Sequence, residues 1–169
     1  MGNKRIQLTL FVDEHESMVI EEIREKFNPQ QYHLIKSHVT LCRENELQNI
    51  LRVLSNIKAL KHNYITIDFG NIIRFCNEKG VLLPALSENE PFHQLRNDIL
   101  EGSVEFPTKH QPHITLMHPR NSTCSDELFG QIEQFEIPNK FTFKKISLIE
   151  QEEGMKWHIL KEFDLKYLQ

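Results

Sequence analysis

The sequence predicts an α+β fold: two pseudo-symmetric lobes, each a mostly antiparallel sheet with helices, around a central groove. Three observations lead there. Strand and helix patterns alternate along the chain, yet hairpin signals recur inside each half, at Asn77-Glu78-Lys79-Gly80 and Glu152-Glu153-Gly154. A doubly wound parallel sheet would need long crossovers at those places instead. One tetrapeptide pattern occurs twice, as His38-Val39-Thr40-Leu41 and His113-Ile114-Thr115-Leu116. The segments after the two copies also match: His38 and His113, Thr66 and Thr142, and Gly80 and Gly154 are 75, 76 and 74 residues apart. A near-constant offset through strand, helix and hairpin signals an internal duplication.

Taken in order, the alternation of Ile6, Leu8, Leu10 and Val12 predicts a first strand over residues 5–12. Ser17 stands where it would cap a helix carrying Met18, Val19, Ile23 and Phe27, ended by Asn28-Pro29. A strand over about residues 32–43 comes next, with His38 near its middle. Leu47, Ile50, Leu51, Leu54, Ile57 and Leu60 then fall at helical spacing. Residues 64–75 and 81–86 read as strands flanking the first hairpin turn. Ser87 and Pro91 open a helix through Phe92, Leu95, Ile99 and Leu100, which Gly102 closes. A loop over 103–112, with Pro107 and Pro112, runs straight into the second motif strand; Pro119 and the polar run 120–126 end it. Leu128, Ile132 and Phe135 predict a short helix, and residues 141–150 and 156–165 a closing hairpin. No linker separates the halves, so one domain over 1–169 is expected.

Composition bounds the function. At 169 residues and 39% apolar content the chain can bury a real core. A net charge of −4 argues against long nucleic acid and leaves room for a short phosphorylated ligand in a local basic pocket. Three cysteines, Cys42, Cys76 and Cys124, with no CxxC pair argue against a disulfide framework or structural zinc. No apolar run resembles a signal peptide or a membrane span, so a cytoplasmic protein with no membrane partner is expected.

The repeated tetrapeptide carries the chemistry. Residues i and i+2 of a strand face the same way, so each copy aims an imidazole and a hydroxyl together while its apolar residues face a core. Two imidazoles on one cavity form an acid–base pair near neutral pH. The threonine hydroxyls can donate to the oxyanions of a phosphoryl group, so each His/Thr pair could grip it from one side. That arrangement suits in-line displacement, with attacking and leaving oxygens opposite each other. Neither histidine has an acidic neighbour in its strand, which weighs against a metal site. No metal and no cofactor are expected.

These residues are also those of a known family. His38-Val-Thr40-Leu and His113-Ile-Thr115-Leu resemble the paired HxT motifs of the two-histidine (2H) phosphoesterases. That superfamily includes bacterial RNA 2′,3′-cyclic phosphodiesterases, long called 2′-5′ RNA ligases, and plant and yeast cyclic nucleotide phosphodiesterases. The resemblance extends over nearly the whole chain in length, motif spacing and element order. It implies two lobes around a groove, chemistry without metal, and a nucleotide or short RNA substrate with a cyclic phosphate. It makes His38 and His113 the general base and acid, in an order left open, and Thr40 and Thr115 the phosphate ligands. The RNA branch usually has an arginine three residues after the second threonine, where this chain has His118. It usually continues the first motif into Phe-Leu-Gly, where this chain has Arg43-Glu44-Asn45. Arg43 and Arg120, each just past its motif, are candidates for the missing positive charge, and His118 for substrate binding at the groove edge.

Lesser candidates are Lys109 and His110, read as lining the groove mouth, and Cys42, read as a small buried filler. Trp157 and His158 read as structural strand residues. A monomer is expected. Two other functions fit the same residues: a metallohydrolase using His38, His113 and His118, and an RNA- or nucleotide-binding module on the same fold without catalysis.

Overall fold

In the computed structural model, which describes residues 2–166, the first strand sets the plan. Strand β1 (Lys4–Phe11) buries Leu8 and Leu10 on one side and presents Arg5, Gln7 and Phe11, half-buried, on the other. Helix α1 (Met18–Phe27) places Ile20 and Ile23 in the core. Ser17 does precede it, but its hydroxyl donates to the Glu14 carbonyl at 3.2 Å instead of capping the helix. Helix α2 (Pro29–Leu34) occupies residues expected to begin a strand. Pro29 sits at its first turn, where a fixed φ and a missing N–H cost nothing, so Asn28-Pro29 ends one helix and starts another. His38 therefore opens strand β2 (His38–Cys42) and is not at its middle.

A 3₁₀ turn at Glu44–Glu46 precedes α3 (Ile50–Ala59), whose cap Asn49 accepts from the Arg52 N–H at 3.2 Å. The expected strand over 64–75 is two: β3 (Ile65–Asp68) and β4 (Ile73–Phe75). Strand β5 (Gly80–Pro84) closes the first hairpin, and the Phe75 ring packs where any side chain at Gly80 would stand. Helix α4 (Glu90–Leu100) leads through a loop to β6 (His113–Met117), then α5 (Asp126–Ile132) capped by Ser125. The closing segment is also split, into β7 (Lys140–Phe143) and β8 (Lys145–Glu152), before β9 (His158–Asp164).

Among the described residues, seven strands form one antiparallel sheet in the order β4-β5-β6-β2-β1-β8-β9, while β3 and β7 pair apart as a ribbon. The duplication is visible in the register. Val39 pairs with Ile114, and Thr66 pairs with Thr142, their hydroxyls 2.8 Å apart. Duplicated positions thus meet across a pseudo-two-fold axis, and β1 flanks β2 as β5 flanks β6. The two lobes share this sheet and join at the β2–β6 step. The hairpins of Gly80 and Gly154 are not equivalent, because β5 lies inside against β6 whereas β9 is the outer edge. Val39, Leu41, Ile114 and Leu116 are fully buried with Leu10, Ile20, Val53 and Ile99. Each such side chain contributes about 1.5–3 kcal/mol over exposure.

Candidate active site

Because the apolar residues of β2 and β6 fill the core, alternation turns His38, Thr40, His113 and Thr115 to the opposite face, where all four are half-buried. The antiparallel register set by Val39 and Ile114 brings His38 beside Thr115 and Thr40 beside His113. Both imidazoles are held by one device. Nδ1 of His38 lies 2.7 Å from the carbonyl oxygen of Lys36, and Nδ1 of His113 lies 3.2 Å from that of Gln111. A carbonyl only accepts, so each Nδ1 carries the proton and donates, leaving Nε2 as the basic atom.

Burial pushes His38 down to about 4, against the Lys36 carbonyl and with the charges of Arg24, His113 and His118 adding to the fall. Burial also lowers His113, opposed by the Gln111 carbonyl and helped by Arg43. Desolvation thus disfavours an imidazolium at either position, and His38 is the more firmly neutral of the two. The ring of Phe11 stands edge-on to His38, centroids 6.1 Å apart.

Strand β1 supplies residues that the motif reading did not find. The Gln7 amide donates to Thr9 Oγ1 at 2.7 Å and to Thr40 Oγ1 at 3.2 Å. With its oxygen so engaged, the Thr40 hydroxyl is left to donate its proton to a ligand. Arg5 is on the same face, bonded to Gln151 and stacked 5.1 Å over Trp157. The signal was present: Arg5, Gln7, Thr9 and Phe11 are the other half of the alternation that identified β1.

His118 is half-buried, and its backbone N–H donates to Asn28 Oδ1 at 2.8 Å. Its Nδ1 accepts the Arg120 N–H at 3.1 Å, so the neutral ring carries its proton on Nε2 and is a donor there. Burial, then Arg120, Arg5 and His113, lower its pKa and favour the neutral ring. Arg43 and Arg120 are exposed at the ends of their strands. Two clefts open beside the site. One of about 960 Å³ is lined by Phe11, Lys36, Tyr64 and Lys144. The other, of about 470 Å³, is lined by Arg5, Arg120, Glu44 and Gln151.

His110 does not line the groove mouth: its Nε2 lies 3.1 Å from the Thr40 carbonyl oxygen and its Nδ1 is buried. Lys109 is exposed. Cys42 is fully buried, and burial pushes its thiol up to about 12, too high for a reactive thiolate. Trp157 packs under Arg5, and exposed His158 begins β9. Among the described residues no group of three His, Cys, Asp or Glu side chains is placed to hold a metal ion, so His38, His113 and His118 do not form a ligand set. Among them, too, no helix is long and apolar enough to cross a membrane.

The fold is shared with solved structures. Escherichia coli LigT complexed with phosphate is 17% identical, with 98% of this chain and 99% of that one covered at a TM-score of 0.65. LigT complexed with 3′-AMP is 16% identical over 96% and 98% of the two chains, at 0.66. TT0787 of Thermus thermophilus is 17% identical over 98% and 100%, at 0.61. No curated protein sequence matches. The model of the 2′-5′ RNA ligase superfamily matches residues 11–155, a span that contains both HxT strands; the chain belongs to that superfamily, among the two-histidine phosphoesterases.

Proposed function

We propose that the protein is a metal-independent phosphodiesterase that hydrolyses 2′,3′-cyclic phosphates, on RNA ends or small nucleotides, or 2′-5′ phosphodiester links, by paired-histidine acid–base catalysis. Its superfamily acts on phosphodiester bonds, which supports an enzyme of that class. The observation that carries the finer reading is the pair of imidazoles anchored alike through Nδ1, each beside a threonine hydroxyl. The phosphate and 3′-AMP named with LigT belong to the ligand class expected here.

We assign His38 as the base and His113 as the acid, because His38 is the more firmly neutral. Water attacks phosphorus and gives a proton to Nε2 of His38, whose new charge the Lys36 carbonyl stabilises through Nδ1–H. His113 delivers its proton to the departing ribose oxygen as the P–O bond breaks. By family resemblance the cyclic ester opens to a 2′-phosphate. Thr40 and Thr115, with the Nε2–H of His118 and the charges of Arg43 and Arg120, hold the non-bridging oxygens as negative charge builds.

The test is turnover of a short RNA with a 2′,3′-cyclic end, in EDTA, from pH 4 to 9. His38 must be neutral, which is satisfied as pH rises through about 4. His113 must be protonated, which is lost as pH rises through a value below its ordinary 6.5. The profile of kcat/KM should therefore be a bell with its maximum on the acidic side of neutrality. The phosphate charge raises both imidazoles in the complex, so kcat should peak at higher pH than kcat/KM. A rate rising steadily to pH 9 would reject the assignment. Loss in EDTA would favour the metallohydrolase, and binding without turnover the non-catalytic module.

His118 should bind rather than transfer protons. His118→Ala should raise KM several-fold with little change in kcat, since a neutral donor of this kind contributes about 0.5–1.5 kcal/mol. His118→Arg should lower KM by adding a permanent charge. A kcat loss in His118→Ala equal to that of His38→Ala would show the role to be catalytic.

A further inference from the structure

The step between β2 and β6, where the two HxT pairs face each other, is the least supported in the main sheet. Its ladder consists of one register pair, Val39 with Ile114, whereas β1–β8 and β8–β9 have six each. Backbone pairing therefore does little to fix how far His38 stands from His113. Misplacement of about 1 Å can cost a hundred-fold in rate, so something else must hold the separation.

Side chains take over where the ladder stops. The carbonyls of Thr40 and Leu41, next to each other on β2, are claimed by two residues of the second half. His110 Nε2 donates to the Thr40 oxygen at 3.1 Å, and Arg96 Nη1 donates to the Leu41 oxygen. Arg96 Nη2 donates to the Thr108 oxygen at 2.7 Å, anchoring the loop that enters β6. The same guanidinium grips Glu46 at 2.6 and 3.1 Å, and Glu46 Oε2 accepts the Arg43 N–H at 2.8 Å. His110 stands three residues before His113, so its bond joins the lead-in of one motif strand to the middle of the other.

The protonation of His110 suits this task. Its ring packs against Phe92, centroids 5.8 Å apart, and its buried Nδ1 has no hydrogen-bond partner among the described residues. A proton there would have no acceptor, and Arg96 and Arg43 stand near enough to oppose a second positive charge. Burial, opposed by the Thr40 carbonyl and by Glu46, takes its pKa down to about 4. Above that pH it is a neutral, one-directional donor from Nε2.

We propose that His110 is a positioning residue: its bond to the Thr40 carbonyl holds the β6 lead-in against β2 and sets the separation of the two HxT pairs. This rests on the two-histidine reading above. The residue touches neither phosphate nor reacting atoms and acts through the strand that carries Thr40.

Three variants test it. His110→Phe keeps the ring and the packing on Phe92 but removes the donor. His110→Gln restores an N–H at the reach of Nε2, and His110→Asn offers an amide too short to reach. Kinetics on the cyclic-phosphate RNA should show kcat of the Phe variant down roughly ten- to a hundred-fold with KM nearly unchanged. The Gln variant should recover most of kcat, and the Asn variant should not, which keeps the test alive if the Phe variant does not fold. Titration of the His38 and His113 imidazoles by NMR should show both pKa values moving up toward 6.5 in the Phe and Asn variants, as parted strands admit water, and staying low in the Gln variant. Arg24, Arg43 and His118, the other charges that face them, are unchanged throughout. Wild-type kcat in the Phe variant, or a Gln variant as impaired as Phe, would overturn the proposal. Absence of turnover in the wild type would defeat the phosphodiesterase reading instead, and the imidazole titrations would then decide the positioning role alone.

Discussion

Replacing His38 by alanine should lower kcat by about a hundred- to ten-thousand-fold, the usual loss for one acid–base group, and His113→Ala should match it. The reason is local. Each imidazole is anchored at Nδ1 by the carbonyl two residues back, which fixes the ring in place and leaves Nε2 as the atom that takes or gives the proton. Alanine leaves water in that position, with neither the basicity nor the orientation. KM should change little, because Thr40, Thr115 and His118, the residues proposed to hold the phosphate, remain. The double variant should be scarcely worse than either single one, since base and acid serve one displacement and losses within such a unit do not add. Full activity in either single variant, measured on RNA with a 2′,3′-cyclic end, would refute the mechanism. A double variant worse by the product of the two losses would mean that the histidines act independently.

Arg96→Met should destabilise the protein by about 3–5 kcal/mol, the cost of leaving one partner of a buried ion pair uncompensated. Arg96 and Glu46 are each 2% exposed. Burial alone would raise the Glu46 pKa, but hydrogen bonds from Arg96 and the Arg43 N–H, with the Arg96 charge, hold the carboxyl below its usual range. Without Arg96 that balance reverses, and the Leu41 and Thr108 carbonyls lose their donor as well. Against a typical domain stability of about 5–15 kcal/mol, one substitution would remove a large share. Adding Glu46→Leu should recover part of the loss by removing the stranded carboxylate, while the two carbonyls stay unpaired. Urea denaturation with an unchanged slope would measure both steps. A single-variant midpoint within error of wild type would mean that water satisfies Glu46. The pair is expensive to bury, and its position at the β2–β6 step is in keeping with a role in spacing the strands.

Much of this was legible in the amino-acid sequence, and some of it could not have been. The period-2 pattern of His38-Val39-Thr40-Leu41 and its copy determined which side chains face the core and which the opposite side of the sheet, because alternation is a property of any strand. The offset of about 75 residues likewise announced the pseudo-two-fold relation, seen in the pairing of Val39 with Ile114 and Thr66 with Thr142. Where the pattern misled, it did so for want of partner information. In residues 64–75 and 141–150 the strand pattern resumes after a short interruption, at Gly70-Asn71 and at Lys144-Lys145. Nothing local says that the second piece pairs in the main sheet, away from the β3–β7 ribbon. Gly80 and Gly154 mark similar turns whose outgoing strands end at an inner and an outer place in the sheet.

What only the tertiary structure decided is the chemistry that depends on long-range contact. The sequence supplied two histidines of equal standing; burial and surrounding charges made His38 the more firmly neutral one. It offered His110 as a groove residue, and packing against Phe92 with a bond to Thr40 turned it inward. It gave no hint that Gln7 would donate to Thr40 from 33 residues away, or that Arg96 would close on Glu46 from 50. Local pattern is written in neighbouring residues and survives as period and offset. A pKa, a tautomer or the spacing of two strands is set by whichever groups the fold brings within a few ångströms, and those lie far apart in the chain.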